Sequence, residues 1–180
     1  MKLRECFRLF ESRDQQITQL DRIVKRIKVP AMIIGGAALP YYGYNRVTED
    51  INIITNIEDA KKLGNELLKQ GYKFIGQNKF MKSNLLINLC PTGVKAGGKS
   101  IFPSVESFTP GLIPASLPRL LALKVQANRA KDRGDYVELI KRNKLDWEYI
   151  EDKVIPLLDR VDMRWAKLLY DQAMEELICS

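Results

Sequence analysis

The sequence predicts an α/β fold: a small mixed β-sheet with flanking helices, followed by a helical C-terminal region. Three observations carry that expectation. An apolar run at 31–34 breaks at Gly35-Gly36 and is answered by a second apolar run opening at Asp50. The stretch from Pro91 to Pro118 holds five of the chain's eight prolines and reads as loop, and amphipathic helical spacing fills most of what comes after it. With 180 residues and 46% apolar composition, the chain can bury one ordinary core with a helical appendage. The proline-dense stretch sets the expected boundary, giving an α/β unit over 1–115 and a helical region over 116–180.

Taken in order, Ile17, Leu20, Ile23, Val24 and Ile27 recur at helical spacing between Ser12 and Lys28, and Pro30 ends that helix. Its basic residues Arg22, Lys25, Arg26 and Lys28 read as a solvated face. A strand at 31–34, a glycine turn, a helix from Gly36, a loop and a strand from Asp50 follow. Ile57 to Gln70 is predicted as a helix, with Asp59 near its start and Gly71 at its C-terminal end. Tyr72 to Ile75 and Leu85 to Leu89 read as strands around a turn at Gly76 to Asn78. Beyond the loop stretch, helices are expected over Leu117 to Asn128, Lys131 to Arg142, Trp147 to Val154 and Met163 to Ile178. Trp147 and Trp165 are read as packing there, and Tyr41, Tyr42 and Tyr44 chiefly as core.

Composition narrows the chemistry. Histidine is absent, which excludes a His-ligated metal, a Ser-His-Asp triad and a Cys-His pair. Cys6, Cys90 and Cys179 are odd in number and far apart, which suits reduced thiols rather than a disulfide framework. No leader-like apolar segment opens the chain and no run is long enough to span a bilayer, so a soluble cytoplasmic protein with no membrane partner is expected. The net charge is +7 and the pI near 9.3. Lysine and arginine are spread along the chain, so a solvated basic surface explains this; an anionic nucleotide, nucleic acid or acidic protein partner is compatible with it.

The central stretch, AMIIGGAALPYYGYNRVTEDINIIT, carries the sharpest signal. Gly35 and Gly36 allow close backbone approach, and a helix opening there would aim free N–H groups and its positive dipole end at a phosphate. Asp50 and Asn52, two apart on a strand, would project from one face beside it. An apolar strand, Gly-Gly, a helix and then Arg46-x-Thr48-x-Asp50 resemble the nucleotidyltransferase superfamily, in the branch of small bacterial proteins related to antitoxin-system and aminoglycoside nucleotidyltransferases. The resemblance covers roughly residues 12–142. It implies Mg²⁺-dependent transfer of a nucleoside monophosphate from an NTP, ATP foremost, to an acceptor hydroxyl. It also implies that Gly35, Gly36, Arg46, Thr48, Lys124 and Asp132 border the nucleotide, and that the catalytic positions are Asp50, Asn52 and Asn88, with metal on Asp50 and Asn52.

Here the sequence departs from the family, which carries Asp where Asn52 and Asn88 stand. An amide oxygen can ligate a metal but brings no charge. Each lost charge pair is worth roughly 4 kcal/mol at about 4 Å and an effective dielectric near 20. Mg²⁺ is therefore expected to be weakly held or absent. Three accounts fit: a naturally non-catalytic member, an Asp-to-Asn exchange that traps a complex, or carboxylates gathered from elsewhere. A non-catalytic cleft would make the chain a regulatory or toxin–antitoxin-type binding protein. Asp132 has a second reading as a helix N-cap, with Asp135 supporting the first turn and Lys124 solvated. Gly93 to Ser100 also satisfies the P-loop pattern, but Ile101-Phe102-Pro103 denies it the helix that the motif requires, so Lys95 and Lys99 read as a basic loop.

Overall fold

The structure, a computed structural model, describes residues 13–93, 100–107 and 109–179. Helix α1 (Arg13–Arg26) turns its apolar residues Leu20, Ile23 and Val24 inward and leads to strand β1 (Pro30–Ile34). Next comes a 3-10 helix, Gly35–Tyr42, where a regular helix was expected. Its form follows from its residues: Gly35 enters at φ +69°, and Pro40 inside it has no N–H to donate.

Strand β2 (Asp50–Thr55) precedes helix α2 (Ile57–Lys69), whose N-cap Asn56 accepts a hydrogen bond from the Asp59 backbone N–H. Strands β3 (Lys73–Gly76), β4 (Lys79–Lys82) and β5 (Leu85–Pro91) follow, then β6 (Gly111–Pro114). The C-terminal part has helices α3 (Leu117–Ala127), α4 (Ala130–Asn143), a one-turn α5 (Trp147–Tyr149) and α6 (Arg160–Ile178). After α5 the chain winds through a π-helical turn, Ile150–Val154, and a 3-10 turn, Ile155–Leu157. Helix α6 starts three residues before the expected Met163, because Asp159 caps it by accepting from the Val161 and Asp162 N–H groups.

The strands form one mixed sheet in the order β3-β4-β5-β2-β1-β6. β1 is antiparallel to β2 and parallel to β6, β2 is parallel to β5, and β3, β4 and β5 form an antiparallel meander. Two of these strands escape the sequence pattern. β4 lies in the turn segment, where its flanking Lys79 and Lys82 mask Phe80 and Met81. β6 lies in the proline-dense stretch, and it tolerates Pro114 because it forms the sheet's edge and ends there.

One apolar cluster runs from Leu20 and Val24 of α1 through Ile51, Ile53 and Ile87 of the sheet to Leu121, Tyr136 and Ala166 of the C-terminal helices. Over residues 50–53 of β2 and 85–90 of β5, buried and half-buried residues alternate, so one sheet face is core and the other opens outward. α2 covers the core face, and a Cβ at Gly64 would come within 2.9 Å of the Phe80 ring. Trp147 packs edge-on against Tyr170 at 5.3 Å, and Arg133 lies over Trp165 at 5.6 Å, so both tryptophans pack as expected. Among the described residues no helix is long and apolar enough to cross a membrane.

Ile87 is fully buried and pairs in register with both Ile51 and Phe80. Ile87→Ala is therefore expected to cost about 2–5 kcal/mol, read as a lower urea midpoint with an unchanged slope.

Candidate functional site

The site forms on the open face of the sheet, where β2 and β5 run side by side. Their parallel register pairs Asp50 with Leu86 and Asn52 with Asn88, so the residues separated by 36 positions in sequence stand together. Asn52 Nδ2 donates to Asp50 Oδ2 at 3.1 Å, and Asn88 Nδ2 donates to the same oxygen at 3.0 Å. Asn88 Nδ2 also reaches Asn52 Oδ1 at 2.8 Å, and the Thr48 hydroxyl donates to Asp50 Oδ1 at 3.0 Å. Both oxygens of Asp50 thus serve neighbouring side chains, while the buried Asn88 Oδ1 has no hydrogen-bond partner among the described residues.

The two glycines stand against this group. A Cβ at Gly35 would come within 3.2 Å of Asn52 Nδ2, and one at Gly36 within 2.8 Å of Thr48 Oγ1 and 3.1 Å of an Arg46 guanidinium nitrogen. Only glycine lets the strand end and the 46–48 loop close to this distance. Gly35, Gly36, Arg46, Thr48, Asp50, Asn52, Asn88, Lys124 and Asp132 all line one cleft of about 580 Å³, and Gln126, Arg129 and Lys131 are among its other lining residues. Every residue singled out from the sequence for the site therefore converges on it.

A buried ion network holds the cleft's helical wall. Lys124 on α3 is nearly inaccessible and donates to Asp132 at 3.0 Å and to Asp135 at 2.6 Å, both on α4. Arg46 grips Asp135 with two bonds, Nε at 2.8 Å and a terminal nitrogen at 3.0 Å, and Arg129 Nε meets Asp132 at 2.5 Å. These contacts correct the alternative reading of this pair. The N-cap position of α4 is Arg129, without a side-chain cap, so Asp132 is not the cap, and Lys124 is buried rather than solvated. The Arg46–Asp135 pair spans 89 positions, and nothing local in the sequence announces it. Arg129 and Lys131, by contrast, were legible as cations flanking the predicted helix start.

Other sequence candidates fall elsewhere. Tyr42 is half-buried and donates to the Ala115 carbonyl at 2.6 Å, Tyr44 lies under Arg142 at 5.1 Å, and Tyr41 is exposed rather than core. On α1, Lys25 pairs with Asp21 and Arg26 with Glu66, so part of its basic face is neutralised. The P-loop-like segment, with Lys95 and Lys99, lies outside the described residues between Gly93 and Ser100, and so does Cys6. Burial, with the nearby Asp50 charge, pushes the Cys90 thiol above its usual pKa, which leaves it protonated and a poor nucleophile.

The donor set does not fit a two-metal centre. One carboxylate and two neutral amides face each other, and the amides turn N–H groups toward the single anion. The other acidic lining residue, Asp132, is already paired with Lys124 and Arg129. Among the described residues no group of three or more His, Cys, Asp or Glu side chains is placed to hold a metal ion.

Two outcomes follow from the ion network. Lys124→Met removes the cation that two buried carboxylates share and is expected to cost about 3–5 kcal/mol, measured by thermal or urea unfolding. Burial pushes the Asp132 carboxyl pKa upward, but hydrogen bonds from Arg129 and Lys124 outweigh it and hold the value below the usual range. Its stabilising contribution is therefore complete above the unfolded value near 3.9 and is lost as pH falls through the lowered folded value. Melting temperatures are expected to drop steeply below about pH 4, and Asp132→Asn should flatten that acid limb.

No family model matches the chain, and no curated protein matches it in sequence. Solved structures do. The solution structure of the antibiotic-resistance factor ANT(2'')-Ia, described for its substrate-regulated conformation dynamics, aligns with a TM-score of 0.59 at 13% identity, over 89% of this chain and 98% of that one. The crystal structure of ANT(2'')-Ia in complex with adenylyl-2''-tobramycin aligns with the same score and identity, over 79% of this chain and 96% of that one. At such identity the likeness speaks to architecture, and what it establishes is that this chain has a nucleotidyltransferase-like fold.

Proposed function

We propose that the chain is a nucleotidyltransferase-like protein whose cleft takes an NTP, ATP foremost, while Mg²⁺-dependent transfer of a nucleoside monophosphate to an acceptor hydroxyl is weakened or lost at Asn52 and Asn88. The observation that carries this reading is the closed group on β2 and β5, where both asparagine amides donate to the one carboxylate of Asp50. A metal-bridged transfer needs those oxygens free and the neighbouring positions anionic.

Phosphate binding finds support in the rest of the cleft. Gly35 and Gly36 line the cleft together with Thr48, and so do the cations Arg129 and Lys131. Arg129 is about two-thirds exposed, so its guanidinium can meet an incoming anion while Asp132 steadies its Nε. Arg46 and Lys124 act through position: committed to Asp135, they fix the loop and α3 that shape the cleft. The fold's likeness to ANT(2'')-Ia, solved in complex with adenylyl-2''-tobramycin, favours a nucleoside phosphate as ligand. On this reading the chain serves as a regulatory binding protein, and a protein or nucleic-acid partner would receive the signal.

Calorimetry with ATP, with and without Mg²⁺, tests the proposal on the native chain and on Asn52→Asp/Asn88→Asp. The native chain is expected to bind ATP equally with Mg²⁺ or EDTA and to release no pyrophosphate. The double variant is expected to gain Mg²⁺-dependent affinity of at least ten-fold. Mg²⁺-dependent turnover by the native chain would overturn the non-catalytic reading, and no ATP binding by either protein would overturn the nucleotide cleft itself.

A further inference from the structure

The basic residues are spread along the sequence, but the acidic ones are not. From Leu67 to Val105 there is no Asp or Glu, while Lys69, Lys73, Lys79, Lys82, Lys95 and Lys99 all fall there, so this stretch supplies six of the seven net positive charges. Lys69 ends α2 and pairs with Glu66 at 3.6 Å, whereas Lys73, Lys79 and Lys82 lie on the β3–β4–β5 meander beside the cleft.

Register fixes what the cleft face of that meander presents. Asp50 pairs with Leu86, Leu86 with Met81, and Met81 with Lys73, so one row crosses four strands on a single face. The next row runs from Asn52 to Asn88 to Lys79. The floor of the nucleotide cleft therefore continues without a step into a shelf carrying Lys79, Lys73 and the apolar Leu86 and Met81. Lys73 and Met81 are exposed, Leu86 and Lys79 are half-buried, and Ile75 projects at the irregularity in β3. The opposite face of the same strands is core, with Leu85, Ile87, Leu89 and Phe80 buried. Among the described residues neither Lys73 nor Lys79 pairs with a carboxylate, whereas Lys25, Lys62, Lys141 and Lys167 each do.

We propose that this shelf binds single-stranded nucleic acid, with backbone phosphates on Lys73 and Lys79 and unpaired bases lying on Met81, Leu86 and Ile75, one end of the strand leading toward the cleft at Asp50 and Asn88. Two lysines without a carboxylate partner, spaced along one face, suit a ligand with repeated negative charges. The apolar surface between the lysines suits bases, and a polynucleotide is the polyanion whose own units match the ligand proposed for the adjoining cleft. The choice of nucleic acid rests on that nucleotide-cleft reading, whereas the shelf itself rests on charge and register.

Fluorescence anisotropy of a 5′-labelled 12-nucleotide single strand tests this on the whole protein, with a poly-glutamate peptide of equal charge and a duplex of equal length as competitors, and with ATP calorimetry in parallel. The single strand is expected to bind and to outcompete both. Log affinity should fall against log salt with a slope of about −1.4, as for two neutralised phosphates. Lys73→Glu, at an exposed position away from the cleft, should weaken the oligonucleotide at least ten-fold while its circular dichroism, melting temperature and ATP affinity stay native. Stronger binding of poly-glutamate would overturn the proposal in favour of an acidic protein partner, and an oligonucleotide affinity untouched by Lys73→Glu would overturn the assigned surface. ATP binding that persists without any oligonucleotide binding would sink the shelf and leave the cleft standing.

Discussion

The structure depends on a charge held inside it. Lys124 sits almost wholly out of water between Asp132 and Asp135, and Arg46 and Arg129 close the two outer ends of that group. A lone ammonium at that depth would be costly, and so would either carboxylate; together they are satisfied. The network ties the loop ahead of β2 to the consecutive helices α3 and α4, far along the chain. It thereby sets how far the helical wall stands from the sheet, and hence the width of the cleft.

What the network frames is a site with a single carboxylate on its sheet face. Side by side on parallel strands, Asp50, Asn52 and Asn88 satisfy one another with N–H groups pointing at the only anion. Here the chain offers one carboxylate, hydrogen-bonded by two amides, in a cleft that Arg129 and Lys131 also line, with Lys79 as the cross-strand partner of Asn88. With Asn at positions 52 and 88, the group carries one formal negative charge, that of Asp50.

Much of this was legible in the sequence, and the rest was not for physical reasons. Apolar runs on either side of the Gly35-Gly36 break announced β1 and β2, and helical spacing announced α1 to α4 to within a few residues. β4 was hidden because lysines at both ends conceal a two-residue apolar core, and β6 because an edge strand can end in proline. The site's members were readable one by one, but their partnerships were not. Asn88 meets Asn52 only through strand register, and Arg46 meets Asp135 only through tertiary packing. The acid-free stretch from Leu67 to Val105 was visible all along, but only the sheet places it beside the cleft.

Direct titration of Mn²⁺, followed by its electron paramagnetic resonance signal without nucleotide, tests the central claim most directly, because it reads the charge of the Asp50–Asn52–Asn88 group alone. The account predicts no saturable site on the native chain at millimolar Mn²⁺ and a stoichiometric site on Asn52→Asp/Asn88→Asp. A saturable site on the native chain that Asp50→Asn abolishes would contradict it.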